Sequence, residues 1–246
     1  MADTTRADEE EVEYSEDKIA VHWREEEYVE PPEAYKAQAN ANDESILKQF
    51  KPESFPQCFE EYADMLTWDR RWDEIVDTSN PPFFKWWVGG RLNACVNCVD
   101  RHLESRADEN AIIWVPEREE DETLEVTYRE LHGRVNEFAA LLKDFCGVKP
   151  QDRVTFHMPM VVDLPVAMLA CARLGVIHSQ VFGGFSGAAC GQRMADAQST
   201  ILVTTDSYYR GGELIDHKVK ADEAVEAARK EGIEVEKILV FRRIPG

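Results

Sequence analysis

The stretch Gln180–Ser186 reads QVFGGFS, with Gly183 and Gly184 between two phenylalanines directly after the apolar run VIHSQVF. Glycine lets backbone approach a ligand where any side chain would intrude, and it also serves plain turns. A second such place is TTDSYYRGGELIDH, where Arg210 precedes Gly211, Gly212 and Glu213. Exposed amides at the start of a helix suit a phosphate or another polar group, and an arginine beside them adds a fixed charge. Neither pair forms G-x-G-x-x-G or G-x-x-x-x-G-K-[ST], so neither of those nucleotide loops is present. Among the histidines, His102, His157 and His178 are acid/base candidates. No Ser-His-Asp order supports them, and His178 on an apolar strand reads as a hydrogen-bonded core residue. Asp100-Arg101 reads as a structural ion pair. Cys95-Val96-Asn97-Cys98 has zinc-ligand spacing, but no second ligand pair lies near it in sequence, so no metal site is assigned. The six cysteines read as reduced and structural. Trp86 and Trp87 suit either a binding platform or an aromatic cluster pinning an N-terminal segment onto a core.

These residues need elements to position them. Ala111–Val115 (AIIWV) reads as a strand and the acidic EREEDET as a loop. Thr127 and Glu130 form a capping box. The helix it opens carries Leu131, Val135, Phe138, Ala139 and Leu142 on one face and stops at Gly147. Arg153–Met158 is a strand ended by Pro159, and Val162–Leu174 an apolar helix closed by Gly175. Val176–Phe182 is the next strand, and Ser186 caps a helix over Gly187–Ala197. Thr200–Thr204 is a strand, Asp206–Asp216 a long loop, Val219–Lys230 a helix and Lys237–Phe241 a last strand. Strands that are apolar almost throughout, alternating with helices, predict a parallel sheet covered on both faces. In such sheets ligands bind beyond the carboxyl ends of the strands. Both Gly-Gly pairs fall there, on one rim.

With 246 residues, 43% of them apolar, the chain can build a sizeable core. No apolar run is long enough to span a bilayer. The N-terminus is acidic and lacks a basic-then-apolar signal, so a cytoplasmic protein is expected. The formal net charge of −20 argues against nucleic acid or an anionic membrane surface as a partner. Residues 1–30 hold twelve Asp/Glu and three Lys/Arg, so most of the deficit lies in the remainder. Lysines number 11 and arginines 17. Dispersed acidity with few lysines suits a high-salt cytoplasm, and an ordinary acidic protein is the other reading. Residues 1–44 are expected to be a largely disordered acidic tail. Residues 45–105 form a helical and aromatic segment, and 106–246 a three-layer αβα half-domain.

NACVNCVDRHL, VTYRELHGRVNEFAALL, DRVTFHMPM, AMLACARLGVIHSQVFGGFS and TTDSYYRGG, in that order, resemble AMP-forming acetyl-CoA synthetases of the adenylate-forming superfamily, over roughly residues 45–246. The acidity further resembles haloarchaeal members. The resemblance implies conversion of a carboxylate and ATP to an acyl-adenylate, then acyl transfer to the CoA thiol, with ATP, magnesium and CoA used and none bound tightly. It implies that Gly184 lets the CoA adenine-ribose lie against bare backbone and that Arg210 faces the 3′-phosphate. Gly183, Gly211 and Gly212 are further candidates. The family commonly reads Arg-x-Gly-Arg, whereas here Glu213 stands in the second arginine's place. It should repel a phosphate unless it points away or Lys218 substitutes. The family's lysine-bearing phosphate loop and C-terminal domain do not occur within these residues. The isolated chain is therefore expected to be catalytically incomplete, with no catalytic residue assigned. It fits a synthetase part awaiting a separate chain with the remainder, or a non-catalytic CoA- or partner-binding module.

Overall fold

The computed structural model describes residues 29–40 and 45–243. The tail expected over residues 1–44 therefore lies mostly outside the described residues. Two compact units meet in sequence at Cys58 and Phe59. In the first, the described residues form short helices α1 (Glu33–Gln38) and α2 (Ser45–Gln49). α1 buries nothing.

The second unit opens with α3 (Glu60–Asp64) and an antiparallel pair, β1 (Glu74–Asp77) and β2 (Lys85–Val88). Trp68, Trp72 and Trp87 cluster here, with Trp72 and Trp87 centroids 4.6 Å apart and Trp86 5.8 Å from Trp87. Polar contacts attach this tryptophan segment to the remainder of the unit. Asn97, on α4 (Ala94–Cys98), holds Thr67 by both ends, accepting from its N–H at 2.7 Å and donating to its carbonyl at 2.9 Å. Arg101 donates to the Met65 carbonyl at 2.9 Å. The expected Asp100–Arg101 ion pair does not form. Asp100 is instead gripped by Arg173, at 3.0 and 2.7 Å. Neighbours in a tight turn point to different sides, so Arg101 faces the tryptophan segment while Asp100 faces the core. Cys95 is buried and Cys98 exposed.

After α5 (Leu103–Arg106), β3 (Asn110–Trp114) and β4 (Leu124–Thr127) form an antiparallel pair of their own. The first expected strand thus stands apart from the parallel sheet. The Thr127–Glu130 box is formed in both directions and opens α6 (Tyr128–Ala140), which bulges into a π-turn over Leu141–Phe145. Leu131, Val135, Phe138, Ala139 and Leu142 are all buried.

The sheet contains β5 (Arg153–Met158), β6 (Ile177–Phe182), β7 (Ile201–Thr205) and β10 (Lys237–Phe241), all parallel, in the order β10-β7-β5-β6. On one face Val154, Phe156, Met158, Ile201, Val203 and Leu239 pack with α6 and α7 (Asp163–Leu174). On the other, Val181 and Leu202 pack with α8 (Gly187–Ala197) and α9 (His217–Lys230). Alternate residues of one strand feed opposite cores, which makes three layers. α8 and α9 touch closely: a Cβ on Gly191 would lie 2.5 Å from the Ala224 carbonyl oxygen. The segment expected as a long loop instead folds as a hairpin, β8 (Ser207–Arg210) and β9 (Glu213–Asp216).

Candidate functional site

Three chain segments leave the carboxyl ends of neighbouring strands and converge. Pro159 follows β5, Phe182-Gly183-Gly184 ends β6, and the β8–β9 hairpin follows β7. With the end of β3 they border a cavity of about 320 Å³, lined by Trp114, Met160, Val161, Gly183, Gly184, Tyr208, Tyr209, Arg210 and Arg243 among others.

Gly183 and Gly184 are small for different reasons. A Cβ on Gly183 would meet backbone, the Met158 carbonyl group at 2.9 Å and the Pro159 nitrogen at 3.0 Å. A Cβ on Gly184 would meet side chains, Arg210 Nη1 and Phe182 Cε1, each at 2.5 Å. The structure therefore brings Gly184 and Arg210 together, and the Arg210 guanidinium lies 5.3 Å from the Phe182 ring centroid. Among the described residues no carboxylate comes within ion-pair distance of Arg210. Gly211 and Gly212 have φ of +61° and +81° and meet nothing where a Cβ would sit. They are the two central residues of the hairpin turn, where positive φ is required. Arg210 and Glu213 are the cross-strand partners that close it, both exposed. The Gly211 N–H donates to Glu117 at 2.7 Å. Arg118 stacks over Tyr209 at 4.2 Å. Lys218, the expected substitute cation, is paired with Asp222.

Beneath the glycine turn lie two fully buried histidines, His157 and His217, with ring centroids 4.5 Å apart. His217 Nε2 is 3.1 Å from the Gly183 carbonyl oxygen. That oxygen can only accept, so Nε2 carries the proton and Nδ1 accepts from the hydroxyls of Thr204 (3.2 Å) and Thr205 (3.4 Å). Burial holds the His217 pKa below the usual histidine value. For His157, burial first, then His217 and Lys220, push the pKa down to about 4. The carbonyls of Phe185 and Phe182 act weakly the other way, and neither ring nitrogen has a partner within hydrogen-bond geometry. His178 is partly buried and stacked on Phe156, and His102 lies against Tyr128, both away from the cavity.

Residue type and spacing single out Gly183, Gly184 and Arg210 but pass over Tyr208, His217 and Lys220, which all reach the Gly183 carbonyl. A signal for His217 is present in the sequence. Residues 217, 221, 224 and 228 repeat at i, i+4, i+7 and i+11, the buried stripe of α9. Asp216, whose carboxylate accepts from the Val219 N–H at 3.2 Å, caps the helix just before it.

A family model described as AMP-binding enzyme matches residues 99–243, more than half the chain, and one described as acetyl-coenzyme A synthetase N-terminus matches residues 49–98. The chain belongs to the AMP-binding enzyme family. Among similar proteins, the acetyl-coenzyme A synthetase of Methylobacillus flagellatus is 44% identical over 178 residues, covering 72% of this chain and 26% of that protein. That of Rubrobacter xylanophilus is 40% identical over 215 residues, covering 87% and 32%. That of Pyrobaculum aerophilum is 40% identical over 198 residues, covering 78% and 29%. The chain thus spans roughly a quarter to a third of the length of these relatives. Among the described residues of this AMP-binding family member, no helix is long and apolar enough to cross a membrane.

Proposed function

We propose that this chain is the N-terminal part of an AMP-forming acyl-CoA synthetase whose substrate is acetate, and that its cavity receives the nucleotide end of CoA. The complete reaction joins acetate to ATP with release of pyrophosphate, and CoA then displaces AMP to give acetyl-CoA. ATP, magnesium and CoA take part as substrates or cofactor. This chain's share is binding and orientation of CoA, with a partner chain or segment supplying the phosphate loop and the acyl pocket. The acidic surface suits a high-salt cytoplasm.

One observation carries the CoA reading: Arg210, with no carboxylate paired to it among the described residues, lies against side-chain-free Gly184 and the Phe182 ring on the cavity rim. A purine could rest on the bare glycine and the aromatic ring, with the guanidinium left to bind the ribose 3′-phosphate. Glu213 opposes the phosphate and replaces the second cation of the family's motif. The test is calorimetric titration of CoA and 3′-dephospho-CoA into wild type, Arg210→Ala and Glu213→Arg at one salt concentration. A charged hydrogen bond contributes about 1.5–3 kcal/mol, so the 3′-phosphate should be worth roughly tenfold to a hundredfold in affinity. Arg210→Ala should erase the preference for CoA, and Glu213→Arg should enlarge it. Equal affinity of wild type for both ligands would refute the assignment of Arg210.

A further inference from the structure

The Gly183 carbonyl oxygen is met by three donors from the hairpin and α9. His217 Nε2 lies at 3.1 Å, the Tyr208 hydroxyl at 3.3 Å and Lys220 Nζ at 3.3 Å. The His217 ring cannot turn to seek other partners. Thr204 and Thr205 hold its Nδ1, His157 lies 4.5 Å from it, and Tyr208 packs edge-on at 5.2 Å. The Gly183–Gly184 peptide is trans, since the described cis bonds are Phe55-Pro56 and Pro81-Pro82. In a planar trans peptide, carbonyl and N–H point to opposite sides. Fixing the Gly183 oxygen toward His217 therefore turns the Gly184 N–H away from His217. Among the described residues that N–H donates to no backbone or side-chain acceptor, and Gly184 borders the cavity. An amide donor left without a partner beside a cavity is available to a ligand acceptor.

We propose that His217 is a positioning residue: through the Gly183 carbonyl it locks the glycine turn so that the Gly184 N–H is presented to an acceptor atom on the nucleotide end of the ligand. This rests on the CoA reading given above. His217 itself touches no ligand and acts only as an uncharged Nε2–H donor.

The ligand-free full chain tests the lock by itself. Nitrogen NMR of the wild type should find the His217 proton on Nε2, and a proton on Nδ1 would overturn the proposal. His217→Phe keeps the ring volume and removes the donor, whereas His217→Gln restores a donor at the same reach. The Gly184 amide resonance should move in the Phe variant and return toward the wild-type position in the Gln variant. An unmoved resonance in His217→Phe overturns the proposal, and should that variant not fold, the tautomer and the Gln variant still decide. Calorimetry then reads the consequence. Loss of one oriented neutral hydrogen bond should weaken CoA and 3′-dephospho-CoA by the same factor, about three- to tenfold, with Gln recovering most of it. Unchanged affinity in the Phe variant would refute a ligand-facing role. Loss of CoA alone would assign the effect to Arg210. If wild type binds neither ligand, the CoA reading fails, while the tautomer and the Gly184 resonance still report on the lock.

Discussion

Replacing each glycine of the turn by alanine in turn separates structure from binding. A Cβ on Gly183 would press on the backbone of Met158 and Pro159 at 2.9–3.0 Å. That backbone closes β5, a central strand bonded on both sides, and cannot retreat without disturbing the sheet. Overpacking of this kind costs about 1–3 kcal/mol. At about 2–4 °C per kcal/mol for a chain of this size, Gly183→Ala should lower the melting midpoint by about 2–12 °C. A Cβ on Gly184 meets only Arg210 Nη1 and the Phe182 ring edge, at 2.5 Å each. Arg210 is exposed at the end of a flexible side chain and Phe182 is half exposed, so both can move aside. Gly184→Ala should therefore leave stability within about 0.5 kcal/mol, the range for surface changes. On the CoA reading proposed above it should still weaken CoA, because the displaced guanidinium and the new methyl would stand where that reading puts the ligand. Melting by circular dichroism paired with CoA calorimetry reads both quantities. Equal melting losses for the two variants, or full CoA affinity in Gly184→Ala, would refute the reasoning.

Charge and burial have further measurable consequences. With a net charge of −20, self-repulsion should be relieved as screening lengths shrink to about 3 Å near 1 M salt, so molar KCl should raise the melting midpoint; an unchanged or lower midpoint would sink the high-salt reading. The His157 pKa is lowered from 6.5 to about 4, so the unfolded chain takes up a proton below pH 6.5 that the fold refuses until about pH 4. Stability should fall across that window by up to about 3 kcal/mol at about 1.4 kcal/mol per pH unit, and His157→Phe should flatten the slope in urea titrations at pH 7 and pH 5. A slope unchanged by the substitution would exclude His157 as its source. The Asp100–Arg173 pair is bidentate and about three-quarters shielded from solvent, so Asp100→Ala should cost about 1–2 kcal/mol after allowance for screening, read as a lower urea midpoint. No shift in that midpoint would mean that the pair adds nothing to stability.

What the amino-acid order determined by itself is local. The Thr127–Glu130 box, the Ser186 cap and the buried face from Leu131 to Leu142 depend on groups within a few residues of one another. Side-chain spacing and backbone bonding over one or two turns suffice to specify them. Nearly continuous apolar strands between helices likewise required a covered parallel sheet, because no other arrangement buries both faces of such strands. Even the β8–β9 hairpin was legible, since Gly211-Gly212 between Tyr-Arg and Glu-Leu is a two-residue hairpin signal. The polar residues at both ends of 206–216 mask that signal. Tertiary structure alone decided the rest. β3 pairs with β4 and stays out of the parallel sheet, a choice between partners that periodicity does not distinguish. Asp100 finds Arg173, 73 residues away, where α7 crosses α4. Gly183 and His217 are 34 residues apart and meet only because β6 and β7, on either side of β5, deliver their following segments to the same rim. Composition and spacing record which residues could bond. Which of them do is set by the order of the strands, and that order is a property of the packed sheet rather than of any one segment.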